Sequence, residues 1–263
     1  MTIAKRRIMM AICAAIIFIA GTFIAADWLV YYFCNIKHIS GTCGFSVYQN
    51  ISKFATTFLN GLLVWIIFKN GIDRKDTMLL SIAFGFALVA DFFLKILFNA
   101  DPENSSTYMV AGIVTFMIVQ TFLILRHSRG VKKRFFCDGG VDKKNMFIEL
   151  LWFAAIATVV SAIIFIKTGT MIPVIMAYAC FLVTSVYFGW RTLTWGFYPA
   201  KNAWMIAIGM TLFLFCDINV GISSLPDTPI ANNLVWMFYT PALMLLALSG
   251  YDWSNNRKQN NQN

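Results

Sequence analysis

The chain has 263 residues, of which 59% are hydrophobic and only 13% are charged, and its formal net charge is +9. Its mean hydropathy is +0.69. About one-quarter of the residues of a soluble domain are charged, so this composition excludes a large soluble core and favours a protein that lies in the lipid bilayer.

Long, continuous apolar runs predict membrane-spanning helices, because a helix needs roughly 20 apolar residues to cross a bilayer and satisfies its own backbone hydrogen bonds there. The predicted fold is an all-α bundle of eight transmembrane helices at about 8–27, 51–68, 77–98, 107–125, 146–166, 170–190, 202–222 and 230–250. The first run follows basic residues, as in a signal peptide, but it is too long and no clear cleavage site follows. We therefore predict that it is retained.

The basic residues predict the orientation, since cytoplasmic loops collect Lys and Arg. With both termini in the cytoplasm, the basic residues on or near the outer side are Lys37, Lys53, Lys95 and Lys167. All others fall on the cytoplasmic side, where they face anionic lipid headgroups, and no soluble basic domain remains to bind nucleic acid. The prediction is a multi-pass protein of the plasma membrane, or of the inner membrane in a bacterium.

The predicted domain organisation is simple. Residues 1–253 form one transmembrane domain and residues 254–263 form a polar, disordered tail. The longest cytoplasmic connection, 126–145, divides the spans four and four. Cys34 and Cys43 share the first outer loop, where a disulfide and two free thiols are both open readings.

Two carboxylates lie well inside apolar spans. Asp91 lies in AFGFALVADFFLKIL, residues 83–97, and Asp217 lies in span seven. A charged side chain near the centre of a span costs about 2.5–3.5 kcal/mol on insertion scales, so it indicates a functional site. Both aspartates follow the start of an outward-running span by nearly the same number of residues, which predicts equal depths. Asp27 and Glu149 lie near span ends, where we expect solvated positions.

Other polar side chains fall near the same predicted level. They are Asn60 in span two, Tyr178 in span six, Tyr239 in span eight and, somewhat deeper, Gln120 in span four. Their shared level predicts a pocket that opens toward the outer leaflet and is lined by Asn60, Asp91, Tyr178, Asp217 and Tyr239. The simpler alternative is that these side chains hydrogen-bond between helices and only hold the bundle together.

Two buried aspartates favour acid–base chemistry or ion transfer, because neighbouring carboxylates can share one proton and leave an acid beside an ionised partner. A zinc hydrolase is disfavoured, since His38 and His127 are predicted in loops on opposite sides. No serine has a GxSxG setting, and no late span has a central lysine to hold retinal. The residues therefore predict no metal and no cofactor. A small transporter or a lipid-binding membrane protein, in which the aspartates form a proton or cation relay, stays an open alternative.

Several short motifs resemble those of the YhhN family, which includes lysoplasmalogenases. The family's third-span element GD-x-x-L is similar to Ala90, Asp91 and Leu94. Its seventh-span element G-x-x-x-F-x-x-SD is similar to Gly209, Phe213, Cys216 and Asp217. The remaining matches are Lys53, Thr56 and Thr57 for KP-x-TT, Pro173 and Tyr178 for P-x-x-x-x-Y, and Tyr239 in the last span.

The sequence departs from the family pattern at some of these positions. Ala90 and Cys216 stand where the family has glycine and serine before the aspartates, and Phe54 stands in place of the motif proline. Gln120 and Leu243 stand where the family commonly has histidine and glutamine.

The resemblance implies hydrolysis of the vinyl-ether bond of a lysoplasmalogen, a lysophospholipid, to a fatty aldehyde and a glycerophospho-alcohol. A general acid would protonate the enol ether at carbon, and a second carboxylate would stabilise the resulting cation, as in glycoside hydrolysis. Asp91 and Asp217 are the predicted catalytic pair. The predicted substrate-binding residues are Lys53, Asn60, Gln120, Tyr178 and Tyr239. For Lys53, two readings are open: it holds the lipid phosphate, or it is an ordinary interfacial lysine.

Overall fold

The computed structural model describes residues 3–33, 46–131, 146–152, 155, 158, 172–223 and 229–253. Seven long helices occupy most of these ranges: α1 Ile3–Tyr31, α2 Ser46–Ile67, α3 Arg74–Asp91, α4 Ser105–His127, α5 Ile172–Trp195, α6 Ala200–Ser223 and α7 Pro229–Leu248. The shorter elements are 3-10 turns at Phe68–Asn70 and Pro102–Asn104, a π-helix at Phe92–Leu97 and a single α turn at Phe98–Ala100.

Within the described residues, seven helices are long and apolar enough to cross a membrane, which indicates an integral multi-pass membrane protein. They coincide with seven of the eight predicted spans. The other predicted span, 146–166, lies mostly outside the described residues, although 146–152 are helical. The suggested disulfide between Cys34 and Cys43, as well as the tail 254–263, also lies outside them.

Local signals set several helix ends. Asp73 caps α3, since its carboxylate accepts a hydrogen bond from the Lys75 N–H at 3.2 Å. Burial raises the pKa of Asp73, but hydrogen bonds from Arg129 and Lys75 outweigh this effect and hold the pKa below its ordinary value. Gly196 has a φ of +66° in the turn between α5 and α6, a left-handed conformation that glycine adopts without steric cost.

The helices pack as a closed ring. Each of α2 to α6 packs against the next helix, α7 also packs against α2, and α1 lies against α2 and α7. Small side chains allow close approach between membrane helices, and Ala83, Ala87 and Ala90 form one such buried face of α3. Large apolar side chains face outward: Phe18 is 73% exposed and Trp65 is 72% exposed. This is the arrangement expected of a bundle surrounded by lipid.

A buried polar network joins the helices at one end of the bundle. The Arg126 guanidinium at the end of α4 donates to both carboxylate oxygens of Asp76 in α3, at 3.0 and 2.9 Å. The Tyr198 hydroxyl, which lies between α5 and α6, donates to Asp76 at 2.6 Å, and Arg126 also donates to the Ser249 hydroxyl at 2.9 Å. Burial raises the pKa of Tyr198 well above its ordinary value. The Asp76–Arg126 ion pair and its hydrogen bonds to Tyr198 and Ser249 thus join four segments of the chain.

The prediction that 126–145 is a loop was wrong at its first two residues. Arg126 and His127 are the last residues of α4, and both are 0% exposed. The helix extends two residues beyond the end of the predicted span, because Asp76 neutralises the Arg126 guanidinium inside the bundle. Residues 132–145 lie outside the described part of the chain.

The direction of the helices bears on the eighth span. The Tyr198 hydroxyl oxygen, just after α5, lies 2.8 Å from the Arg126 carbonyl oxygen near the end of α4. Both helices therefore end on the same side of the bundle. The predicted span 146–166 would supply one crossing, and it stays a prediction.

Candidate active site

The site begins where α3 changes its geometry. Asp91 is the last α-helical residue, and the π-helix Phe92–Leu97 follows directly. The Phe98 N–H bonds to the Phe93 carbonyl, five residues back, so the turn is wider than an α turn. π-Helical segments are rare and occur frequently at functional sites.

Asp91 is buried, with 2% exposure, and two hydroxyl groups meet the same carboxylate oxygen. Thr57 of α2 donates to Asp91 Oδ2 at 2.6 Å, and Tyr239 of α7 donates to it at 2.8 Å. The Tyr239 ring is held in turn by Trp236 and Phe213, whose ring centroids lie 5.1 and 5.6 Å away. Packing therefore fixes the direction of one of the two hydrogen bonds.

Asp217 of α6 is the second carboxylate, and it is only partly buried. The Tyr178 hydroxyl of α5 donates to its Oδ2 at 2.6 Å. Phe213, one helical turn before Asp217, has its ring centroid 5.6 Å from that of Tyr239, the tyrosine bound to Asp91. The two aspartates and the two predicted tyrosines thus belong to one region of the bundle, with one tyrosine on each carboxylate.

The two predicted amides are fully buried, at 0% exposure. Asn60 uses its Nδ2 to bond to the Thr56 carbonyl of its own helix at 2.9 Å, and its Oδ1 has no partner within the described residues. Gln120 lies near Tyr178, but neither of its amide atoms has a well-formed hydrogen bond in the described ranges. Buried polar groups left unpaired are costly, so these amide atoms are suited to a bound polar group.

Lys53 forms a buried ion pair. Its Nζ lies 2.9 Å from Asp27 Oδ2, and both side chains are 7% exposed. The expectation that Asp27 is solvated was therefore wrong, because α1 and α2 bring a lysine against it. The Nζ of Lys53 also lies 5.9 Å from the Phe23 ring centroid and 5.6 Å from that of Trp236.

The sequence reasoning missed three residues of this region as site residues: Thr57, Lys95 and Trp236. Thr57 was visible in the KFATT motif, and Lys95 follows Asp91 by four residues, a spacing that places two side chains on one helix face. The Lys95 Nζ lies 5.2 Å from the Trp236 ring centroid. No local signal singled out Trp236 from the other tryptophans.

Among the described residues, no group of three or more His, Cys, Asp and Glu side chains could hold a metal ion. His127 was predicted in a loop, but it lies at the buried end of α4 beside Arg126. His38 lies outside the described residues.

Comparison with known proteins settles the family. The sequence model of the YhhN family matches residues 48–250, from the first turn of α2 to just beyond α7. The chain belongs to the YhhN family. This confirms the resemblance seen in the short motifs, and the match contains every predicted site residue of this YhhN protein. Asp27 and the rest of α1 lie outside it. No curated protein and no solved structure matches the chain.

Proposed function

We propose that this YhhN-family protein is a membrane hydrolase that cleaves the vinyl-ether bond of lysoplasmalogen-type lysophospholipids. One observation carries the proposal: two neighbouring aspartates each accept a hydrogen bond from a tyrosine. Within the described residues, neither Asp91 nor Asp217 has a cation at ion-pair distance, although four other acidic residues do. Carboxyl groups without a paired cation are available for proton transfer.

The surroundings of the two carboxyl groups suggest different roles. Asp91 accepts two hydrogen bonds, and such bonds favour an ionised carboxylate. Asp217 accepts a hydrogen bond from the Tyr178 hydroxyl, and its side chain is more exposed than that of Asp91, so a proton can reach it more easily. We therefore assign Asp217 as the general acid and Asp91 as the ionised group that stabilises the cation.

The reaction then balances with one water molecule. Asp217 gives its proton to the vinyl carbon that is not bound to oxygen, and the other vinyl carbon becomes part of an oxocarbenium ion beside Asp91. Water adds to that carbon and returns a proton to Asp217. The resulting hemiacetal breaks its bond to the glycerol oxygen, which takes up the hydroxyl proton. The products are a fatty aldehyde and a glycerophospho-alcohol.

The test uses the purified protein in lipid bilayers, with aldehyde release from a lysoplasmalogen followed by mass spectrometry. We expect Asp91→Asn and Asp217→Asn each to lower the rate at least about 100-fold, in the range for loss of an acid–base group. Asp101→Asn is the matched control, since the Asp101 carboxylate accepts hydrogen bonds from Asn104 and Tyr108 at the start of α4, away from both site aspartates. Thermal unfolding of each variant checks that the fold is retained.

Two results contradict the proposal. One is that wild type releases no aldehyde while both variants leave lipid handling unchanged. The other is proton-coupled flux that disappears in both aspartate variants without any product, which supports the transporter alternative.

A further inference from the structure

Lys95 differs from Lys53 in whether a carboxylate neutralises its ammonium group. Lys53 is neutralised by Asp27 at 2.9 Å, whereas Lys95 has no carboxylate within ion-pair distance in the described part of the chain. Asp91 precedes Lys95 by four residues on the same helix, but its Oδ2 already accepts hydrogen bonds from two hydroxyl groups. The ammonium group of Lys95 is therefore the one at this site that still lacks a close anion.

Trp236 supplies a second unsatisfied donor. Its side chain is 1% exposed, and its Nε1–H has no acceptor within the described residues. The Lys95 Nζ lies 5.2 Å from the centroid of the same indole. A cation over an indole is attracted to it, but the ring does not neutralise the charge. An anion with several acceptor oxygens would satisfy both groups.

The position of Lys95 also fits the shape of an ether lysolipid. Lys95 follows Asp91 by four residues, about one turn of the π-helix Phe92–Leu97, so the two side chains are separated along the axis by about the rise of that turn. In a lysoplasmalogen, the three glycerol carbons separate the ether oxygen from the phosphate by a comparable length. A phosphate at Lys95 therefore leaves the ether end next to Asp91.

We infer that Lys95 and Trp236 bind the phosphate of the lysolipid and select phosphate-bearing substrates, and that Lys53, already paired with Asp27, does not. This assignment rests on the proposed function for the identity of the lipid. Lysine is suited to the role, because its ammonium is a compact charge with three donors.

The test measures binding with probes that cannot be hydrolysed. The probes are a saturated 1-O-alkyl-glycerol 3-phosphate, the corresponding alkylglycerol without phosphate, and soluble glycerol 3-phosphate, each titrated against the full chain in nanodiscs. We expect Lys95→Met to weaken binding of the alkyl phosphate about tenfold and to leave the alkylglycerol unchanged. We expect Lys95→Arg to restore most of the affinity for the alkyl phosphate.

Lys201→Met is the matched control, because Lys201 is also a lysine over an indole ring: its Nζ lies 3.6 Å from the Trp253 ring centroid. Lys201 lies in the first turn of α6, at the opposite end of that helix from Asp217. The inference is overturned if Lys95→Met leaves phosphate binding unchanged, weakens both lipids equally, or matches the control. Glycerol 3-phosphate binding as tightly as the lipid overturns the lipid assignment. Because the probes contain no vinyl ether, a selective loss in Lys95→Met supports the inference even if the protein releases no aldehyde.

Discussion

At the scale of single residues, the two fully buried carboxylates of α3 have opposite surroundings. Asp76 faces the Arg126 guanidinium and makes two hydrogen bonds with it, so its charge is neutralised. Within the described residues, the groups at hydrogen-bond distance from Asp91 are the hydroxyl groups of Thr57 and Tyr239. Two buried acids on one helix therefore have different roles. Asp76 stabilises the bundle, whereas Asp91 is available for proton transfer.

This contrast leads to a prediction about stability. Asp76→Asn leaves Arg126 buried without its anion, and breaking a buried ion pair typically costs about 3–5 kcal/mol. Asp73→Asn removes a charge from a partly exposed pair, in which Asp73 is 39% exposed, and it keeps a side chain that caps helices well. That change should cost no more than about 1 kcal/mol. Unfolding in detergent measures both, and equal losses would contradict the assignment.

At the scale of elements, the π-helix after α3 depends on a glycine in the neighbouring helix. A Cβ on Gly112 of α4 would lie 2.5 Å from Leu94 Cγ, closer than two non-bonded carbon atoms normally approach. Leu94 belongs to the π-helix Phe92–Leu97, between Asp91 and Lys95 in the chain. The missing side chain at Gly112 thus lets the segment that carries the site pack against α4.

We therefore predict that Gly112→Ala disturbs the site from outside it. The added methyl group forces Leu94 to move, and overpacking of this kind costs about 1–3 kcal/mol; hydrolysis should fall as the backbone at Asp91 and Lys95 shifts. Gly85→Ala is the matched control in α3, since its Cβ meets nothing within 4 Å. It should be neutral or slightly stabilising, because alanine favours helices over glycine by about 1 kcal/mol. Unfolding and aldehyde release distinguish the two, and similar behaviour would contradict the packing argument.

At the scale of the whole molecule, the ring of helices determines which residues meet. α3 ends and α7 begins on the same side, so Asp91 and Tyr239 are neighbours although they are 148 positions apart. The same alternation places Tyr178 near the start of α5 beside Asp217 near the end of α6. The closure of the ring through α7 and α2 then brings Thr57 to Asp91.

The alternation of helices also predicts sidedness. Glu103, in the turn after α3, and Lys201, in the first turn of α6, are both exposed and belong to opposite ends of the bundle. With the N-terminus inside, a membrane-impermeant thiol reagent added to intact cells should label Glu103→Cys and not Lys201→Cys, in a chain whose other cysteines are replaced by serine. Lys201→Cys should be labelled after permeabilisation. Labelling of both from outside would contradict the predicted orientation.

Much of the architecture follows from local properties of the chain. Seven of the predicted spans coincide with helices. A bilayer-spanning helix needs only a long enough run of apolar residues, and such a run can be read directly from the sequence. Asp91 and Asp217 were recognisable for the same reason, since a carboxylate in a lipid-like run is costly wherever its partners lie. The short motifs indicated the family that the match over residues 48–250 establishes.

The partners of these residues could not be read in the same way. These pairings depend on how each helix is rotated about its axis and which helix it faces. They are the ion pairs Asp27–Lys53 and Asp76–Arg126 and the contact of Lys95 with the Trp236 ring. Hydropathy does not encode that rotation, because lipid and a neighbouring helix are almost equally apolar. The fold therefore separates a neutralised lysine, Lys53, from the lysine that lacks a close anion, Lys95, although both are simply lysines near the outer side in the linear sequence.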